Sequence, residues 1–400
     1  MRTYIILCLY LLLFPWRSFG QTVDSLKHAD TVNDPPQRDL IDVYHWVAGN
    51  SETVRRDEGK FHNAPFPAAG YTLQTGFAVV LSDNLAFSTG DSLAKISDIA
   101  TSITYSQYNQ IIAPIVADIW TRGNKYNIIA DWRYMKYPST TFGLGGHTQY
   151  SDGYTIDFSY IKLHTSILRA VAKNLYAGLG FYYDYFWNIV EVDPPQGIVT
   201  SFQKYGLTKT ETSVGPAARV VFDSRANPVN PYNGFYANVV FHPSFTWLGS
   251  DANFTMMQID LRKYFSLSRN HRNILALWSF NWLTAGEKTP YLLLPSTGWD
   301  DNFNTGRGYI QGRYRGNDMT YLEVEDRLTI SRNGLFGIVV FGNAESFKRN
   351  LASRYNTIEP GCGAGIRLKL NKHSGANICV DYGVGMDGSS GFAVNLGEVF

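Results

Sequence analysis

The sequence is short of charge, of cysteine and of long apolar runs, and each shortage removes a class of protein. Only 17% of its 400 residues are Asp, Glu, Lys or Arg, and the formal net charge is +1. Nothing electrostatic therefore points to nucleic acid, whose binding proteins concentrate basic residues. Strong helix formers give way to 26 Tyr, 36 Gly and many Ser, Thr and Asn, which argues against a helical enzyme. Apolar residues still make up 44% of the chain, enough to bury a large surface, so disorder is excluded too. With three Cys and no Cys-x-x-Cys or His-x-x-x-His, no metal site is expected. Beyond the N-terminus no segment supplies the roughly 18 consecutive apolar residues of a membrane helix.

What is present begins with an export signal over residues 1–20. Arg2 precedes an apolar run from Tyr4 to Trp16, and Ser18, Phe19 and Gly20 offer a small-residue cleavage site. Removing that segment takes away Arg2 and Arg17 and leaves 33 basic against 34 acidic side chains. Cys362 and Cys379 remain, and in an oxidising compartment they either pair or stay as packing residues. Residues 21–70 are polar, with Pro35-Pro36 and one apolar stripe (Leu40, Ile41, Tyr44, Val47) that predicts a short helix over Asp39–Gly49. The segment reads as a periplasmic tether.

From Tyr71 to Phe400 the period becomes two. Phe235, Ala237, Val239 and Phe241 share one face, while Tyr236, Asn238 and His242 share the other. Met257, Ile259 and Leu261 alternate with Gln258, Asp260 and Arg262, and Ile366, Leu368 and Leu370 alternate with Arg367 and Lys369. Charge on the second face fits a barrel in lipid, apolar outside and polar within. Aromatics on one face, Phe181-x-Tyr183-x-Tyr185 and Trp278-x-Phe280-x-Trp282, are expected to form interfacial girdles. The remaining length allows about 16 spanning strands with turns and moderate loops. The fold class is therefore all-β, a transmembrane antiparallel barrel, with a long loop at Pro295–Thr320.

Four stretches in order resemble the outer-membrane barrel of the Omp85 superfamily, also described as the bacterial surface antigen D15 or BamA/TamA type. Asp223-x-Arg225, Asn227-Pro228 and Pro231-x-x-Gly234 are similar to the family's turn between central strands. Arg307-Gly308-Tyr309, followed by Gly312-Arg313, resembles the motif of a loop that folds back into the lumen. Glu325-x-Arg327 is similar to the family's Glu-x-Arg on the next strand, and the ending at Phe400 resembles its terminal strand and assembly signal. Gly70-Tyr71 with Thr75-Gly76-Phe77 looks like the opening strand. Two departures stand out. Only about 50 residues lie between the signal and the barrel, too few for POTRA modules. Asn343 stands where the family tends to have an Asp, so Glu325 is expected to carry most of the pairing with Arg307.

The resemblance implies an outer membrane of a Gram-negative cell, with lipid and lipopolysaccharide around the barrel. It implies insertion or translocation of client polypeptides, and contact with a barrel-assembly machine. A passive channel or structural barrel stays open as the alternative. No cofactor, metal or catalytic residue is expected. Gly90-Asp91-Ser92-Leu93 matches a lipase nucleophile block, but the one Asp-x-x-His of the chain, Asp42-x-x-His45, lies ahead of it in the N-terminal tether, so the stretch reads as a polar loop. His147 and His164 share no local ligand motif. Asp300-Asp301 reads as a solvated acid pair, and Phe142 to Gly146, without a following Lys-Ser/Thr, as a loop.

Overall fold

The computed structural model describes residues 36–40, 42–43, 61–63, 66–87, 95–194, 197, 199–286, 288–372 and 374–400. Regular structure there is almost all strand: β1 (Phe61–Asn63), β2 (Phe66–Thr72), β3 (Gly76–Phe87), β4 (Ser97–Ser106), β5 (Ile111–Trp120), β6 (Tyr126–Lys136), β7 (Ser139–Thr141), β8 (Tyr154–Ala172) and β9 (Leu175–Val192). The series continues with β10 (Thr210–Asp223), β11 (Gly234–Ser244), β12 (Phe254–Ser266), β13 (Asn273–Gly286), β14 (Asp318–Thr329), β15 (Phe336–Lys348), β16 (Glu359–Lys369), β17 (Asn377–Val384) and β18 (Ser390–Leu396). The short β1 and β7 pair only with β3 and the start of β8. The other sixteen strands form an antiparallel ring in chain order, and β18 returns beside β2. The barrel has the expected sixteen strands, though β2 starts at Phe66, ahead of Tyr71.

Alternation decides the two faces. On β14, Leu322, Val324 and Leu328 are exposed outward, while Glu323, Glu325 and Arg327 are buried inward. Phe77, Val79 and Leu81 on β3 and Ile366 on β16 are likewise outside, an apolar belt that hydrocarbon would cover. The two ends differ. One carries tight turns, such as Lys173-Asn174 with Asn174 at φ 62°; the other carries the long connections, including 287–317. Short turns face the periplasm in barrels of this type.

One expectation changes and one open alternative closes. Trp278, Phe280 and Trp282 are not an interfacial girdle; they are 2%, 6% and 9% exposed and face inward, where the Trp278 indole donates to Asp260 Oδ1 at 2.9 Å. Phe181, Tyr183 and Tyr185 do face outward, and Tyr185 stacks on Trp187 at 5.4 Å. No disulfide joins the cysteines. Cys362 lies opposite Val384 and Cys379 opposite Arg367, too far apart along the ladder, and the Cys379 thiol donates to the Gly397 carbonyl. The signal segment, most of the tether and Gly90-Asp91-Ser92-Leu93 lie outside the described residues. Of the helix expected over Asp39–Gly49 only its start is described: the Asp39 carboxylate caps Asp42 N at 2.9 Å.

Candidate functional site

The connection from Gly286 to Asp318 is longer than the loop read from sequence, and it fills the interior. Its backbone turns at Gly298, Gly306, Gly308 and Gly312, all at positive φ. Its side chains reach several walls: Gln311 Oε1 accepts from the Tyr137 hydroxyl at 2.5 Å, Asp301 pairs with Lys162 at 2.8 Å, and Asn304 donates to the Val399 carbonyl at 2.8 Å. Leu292, Leu293, Leu294 and Tyr314 pack with Trp282, Phe347 and the inner aromatic core. A glutamate on β10, Glu211, holds the start of the loop by accepting from Tyr291 N and Leu292 N at 3.1 and 2.8 Å.

Arg307 is the most heavily paired residue on this loop. Its guanidinium donates to Glu325 Oε1 at 2.5 Å, to Asp381 Oδ2 at 2.9 Å and to Glu323, and it lies 3.7 Å from the centre of the Phe341 ring. The network extends further. Arg327 Nε donates to Glu325 Oε2 at 2.8 Å, and Arg367 bridges Asp381 at 2.5 Å and Glu398 at 2.9 Å. All these groups are nearly fully buried, so each charge depends on its partners. Burial alone would push the Glu398 carboxyl up; Arg327 and Arg367 overcome that and hold it below the ordinary glutamate range.

Glycines make the room. β16 presents Gly361, Gly363 and Gly365 inward, opposite Asn343, Phe341 and Asp381. A Cβ at Gly363 would strike the Phe341 ring, and one at Gly365 would strike the Asp381 carboxylate. The Gly-x-Gly-x-Gly run with period two is legible in the sequence as an inner face stripped of side chains, but sequence reasoning passed over it. It also missed Asp381 and Glu323 as partners of Arg307.

Glu325 therefore does not carry most of the pairing alone. Asp381 supplies the acid that Asn343 lacks, and Asn343 instead donates to the Arg307 carbonyl at 2.9 Å, pinning the loop backbone. Tyr309 does not cover the ion pair; its hydroxyl donates to the Pro360 carbonyl at 2.6 Å and accepts from Met386 N at 3.0 Å. Phe341 lies against the guanidinium in its place. Gly312 packs on the Thr140 carbonyl beside β7. Arg313 is fully buried, bonds Thr148 Oγ1 and its carbonyl at 2.8 Å each, and pairs with Asp387 at 3.0 Å. Of the acid pair read as solvated, Asp300 is instead buried and accepts from Thr305 N at 2.7 Å, while Asp301 is exposed and pairs with Lys162.

In the β10–β11 turn, Asp223 holds Arg225 by paired bonds of 3.0 and 2.8 Å, with the guanidinium over Tyr236. Asn227 Oδ1 caps Val229 N at 2.8 Å, ahead of which Pro228 fits, and Asn227 Nδ2 reaches the Ser374 carbonyl in the β16–β17 turn. Phe400 does not face lipid. β18 ends at Leu396, Gly397 turns at φ 87°, and the Phe400 ring lies 3% exposed against Trp278 at 5.1 Å. A terminal alternation read straight through would have placed it outside; the positive-φ Gly397 breaks that parity.

A second polar cluster lies on β8–β11. His164 pairs with Asp184 at 2.9 Å, and His242 Nε2 lies 3.2 Å from Ser213 Oγ with its Nδ1 on the Pro216 carbonyl. Ser213 is wholly buried and no acid bonds His242, so the arrangement is a satisfied network rather than a nucleophile site.

No family model matches the sequence, and no curated protein matches it. Solved structures do. The chain is similar to BamA from Haemophilus ducreyi lacking POTRA domains 1–3, with 13% identity, a TM-score of 0.55, and 85% of this chain and 73% of that one covered. It is also similar to CdiB from Acinetobacter baumannii (11% identity, TM-score 0.54, 85% and 60% covered) and to CdiB from Escherichia coli (12%, 0.54, 84% and 62%). The chain shares the barrel fold of these proteins. The chain spans about three-fifths of each CdiB chain.

Proposed function

We propose that this chain works in the outer membrane as an Omp85-type barrel that inserts or translocates polypeptide, without catalysis. One observation carries the reading. β2 and β18, which meet to close the ring, have seven residues each, whereas the other fourteen strands of the ring have eight to nineteen. A short closing pair breaks at lower cost than the rest of the sheet, and an opened strand edge can pair with an incoming strand. The BamA and CdiB folds support insertion or secretion as the class of work. Partners on this reading are client polypeptides, the surrounding lipid with its lipopolysaccharide, and a machine that assembles the barrel itself. A passive pore is the weaker reading, because the loop bearing Arg307 fills the interior.

The test locks the seam. The Leu73 side chain lies on Gly391 at the start of β18, so Leu73→Cys with Gly391→Cys places two thiols across the closing pair. In cells relying on that variant, oxidation should deplete one or more polypeptides from the outer membrane or cell surface, and reductant should restore them. An unchanged protein inventory with altered small-solute permeability would establish the passive pore instead.

A further inference from the structure

The periplasmic mouth holds a cavity of about 320 Å³ that the charge network above does not explain. It is walled by the β10–β11, β12–β13, β14–β15 and β16–β17 turns and by the inner ends of β14, β16 and β17. Seven Lys and Arg side chains line it, against one carboxylate, Glu398. Three of the seven are neutralised: Arg327 and Arg367 by the buried acids, and Lys372 by Asp42 at 2.7 Å. The other four, Arg38, Arg272, Arg332 and Lys369, have no carboxylate partner among the described residues.

Two details show that the cations are held in place. Arg272 Nη2 donates to the Ser331 carbonyl at 2.7 Å and to the Thr329 carbonyl at 3.3 Å, which fixes its guanidinium over the β14–β15 turn without cancelling its charge. Lys369 Nζ is held by the Gly375 carbonyl at 3.1 Å. Deeper in, Arg327 is 5% exposed, yet its Nη1 has no acceptor. That nitrogen is shielded from the cavity itself, so the donors open to an entering anion are those of the four side chains without a carboxylate partner.

We infer that this cavity binds a compact phosphate-bearing anion at the periplasmic mouth. The volume sits at the low end of small-molecule sites, at roughly 300–1,000 Å³, and is walled by turns on several sides rather than open along a groove. Four uncompensated charges in that space match a group that delivers two or more negative charges on adjacent tetrahedral oxygens. A guanidinium fork bonds such oxygens in pairs. An acidic peptide would have to bring its backbone along with each carboxylate. The phosphate has two sources, a soluble phosphate ester or the headgroup of an anionic phospholipid.

The experiment uses the full chain in neutral detergent, titrated calorimetrically with inorganic pyrophosphate at constant ionic strength. Saturable one-to-one binding is expected. Arg332→Gln should weaken it about tenfold, and Arg272→Gln with Arg332→Gln by more, since each removes one charged donor. Arg332 lies in the turn between β14 and β15 and lines the cavity with no ion pair among the described residues, so its substitution should leave the fold intact. Lys209→Gln, at the opposite mouth, should bind like the parent. A parallel arm compares nanodiscs of phosphatidylglycerol with nanodiscs of phosphatidylcholine. Protection of the barrel by the first but not the second, abolished by Arg332→Gln, assigns the phosphate to lipid; pyrophosphate binding without it assigns a soluble ligand. Affinity unchanged by both substitutions overturns the site. So does hexaglutamate displacing pyrophosphate at equal charge concentration, which would make the cavity a peptide site.

Discussion

Gly308 of the inner loop and Gly383 of β17 touch backbone to backbone: a Cβ on Gly383 would lie 2.7 Å from the Gly308 nitrogen. A Cβ on Gly308 would in turn meet the Val384 backbone at 2.8 Å, at a φ of 104° that side chains rarely adopt. This contact sets how deep Arg307 sits. Gly383→Ala should push the loop off the wall and cost about 1–3 kcal/mol as overpacking. Gly308→Ala should cost more, since it adds backbone strain. Limited proteolysis of the folded barrel within 298–312 measures both, and unchanged protection in both variants would show that the loop is not held by this contact.

The Arg307 seat predicts an unequal hierarchy. Arg307→Ala leaves Glu323 without a cation, whereas Glu325 and Asp381 keep Arg327 and Arg367. Glu325→Ala strands part of Arg307 and of Arg327 and loosens Arg367. Glu325→Ala should therefore be the most damaging single change, on the order of 3–5 kcal/mol, and Glu323→Gln should partly rescue Arg307→Ala. Denaturant unfolding of the single and double variants tests this. Fully additive losses would dissolve the network into independent contacts.

How much of this was legible follows from what alternation can say. On β14 one parity is charged and the other aliphatic, so Glu323, Glu325 and Arg327 could be turned inward from sequence alone. On β13 the parity of Trp278, Phe280 and Trp282 is the more apolar one, while the other carries Ser279 and Asn281, so alternation alone turns the aromatic face outward. Trp278, Phe280 and Trp282 were misplaced for that reason, since the loop residues Leu292 to Leu294 that cover them lie in a segment without periodicity. Asp381 escaped notice because its link to Arg307 is made across β16, whose glycines carry no side chain to announce it.

Phe400 gives a sharper test of that inward turn. Its ring contacts Trp278 and the Arg327 guanidinium, so Phe400→Ala should remove interior packing worth about 3 kcal/mol. Phe400→Leu should retain much of it. If the ring served only as a lipid-facing signal, both variants, once refolded in detergent, would melt like the parent.

The segment after β18 should also respond to acid. Glu398 is buried, and Arg327 and Arg367 hold its carboxyl below the ordinary value, so its folded pKa is depressed relative to the unfolded chain. A depressed carboxyl contributes stability that is present above the unfolded value, about pH 4.3, and is lost as pH falls through the folded value. Between neutral pH and pH 4.3 residues 397–400 should stay seated; further acidification should release them and lift the Phe400 ring from Trp278. The difference in tryptophan emission between the parent and Trp278→Phe isolates that contact. Glu398→Gln should flatten its acid transition, because Asn377 still bonds the amide while the titrating group is gone. An identical transition in Glu398→Gln would show that Glu398 is not the group that releases the segment.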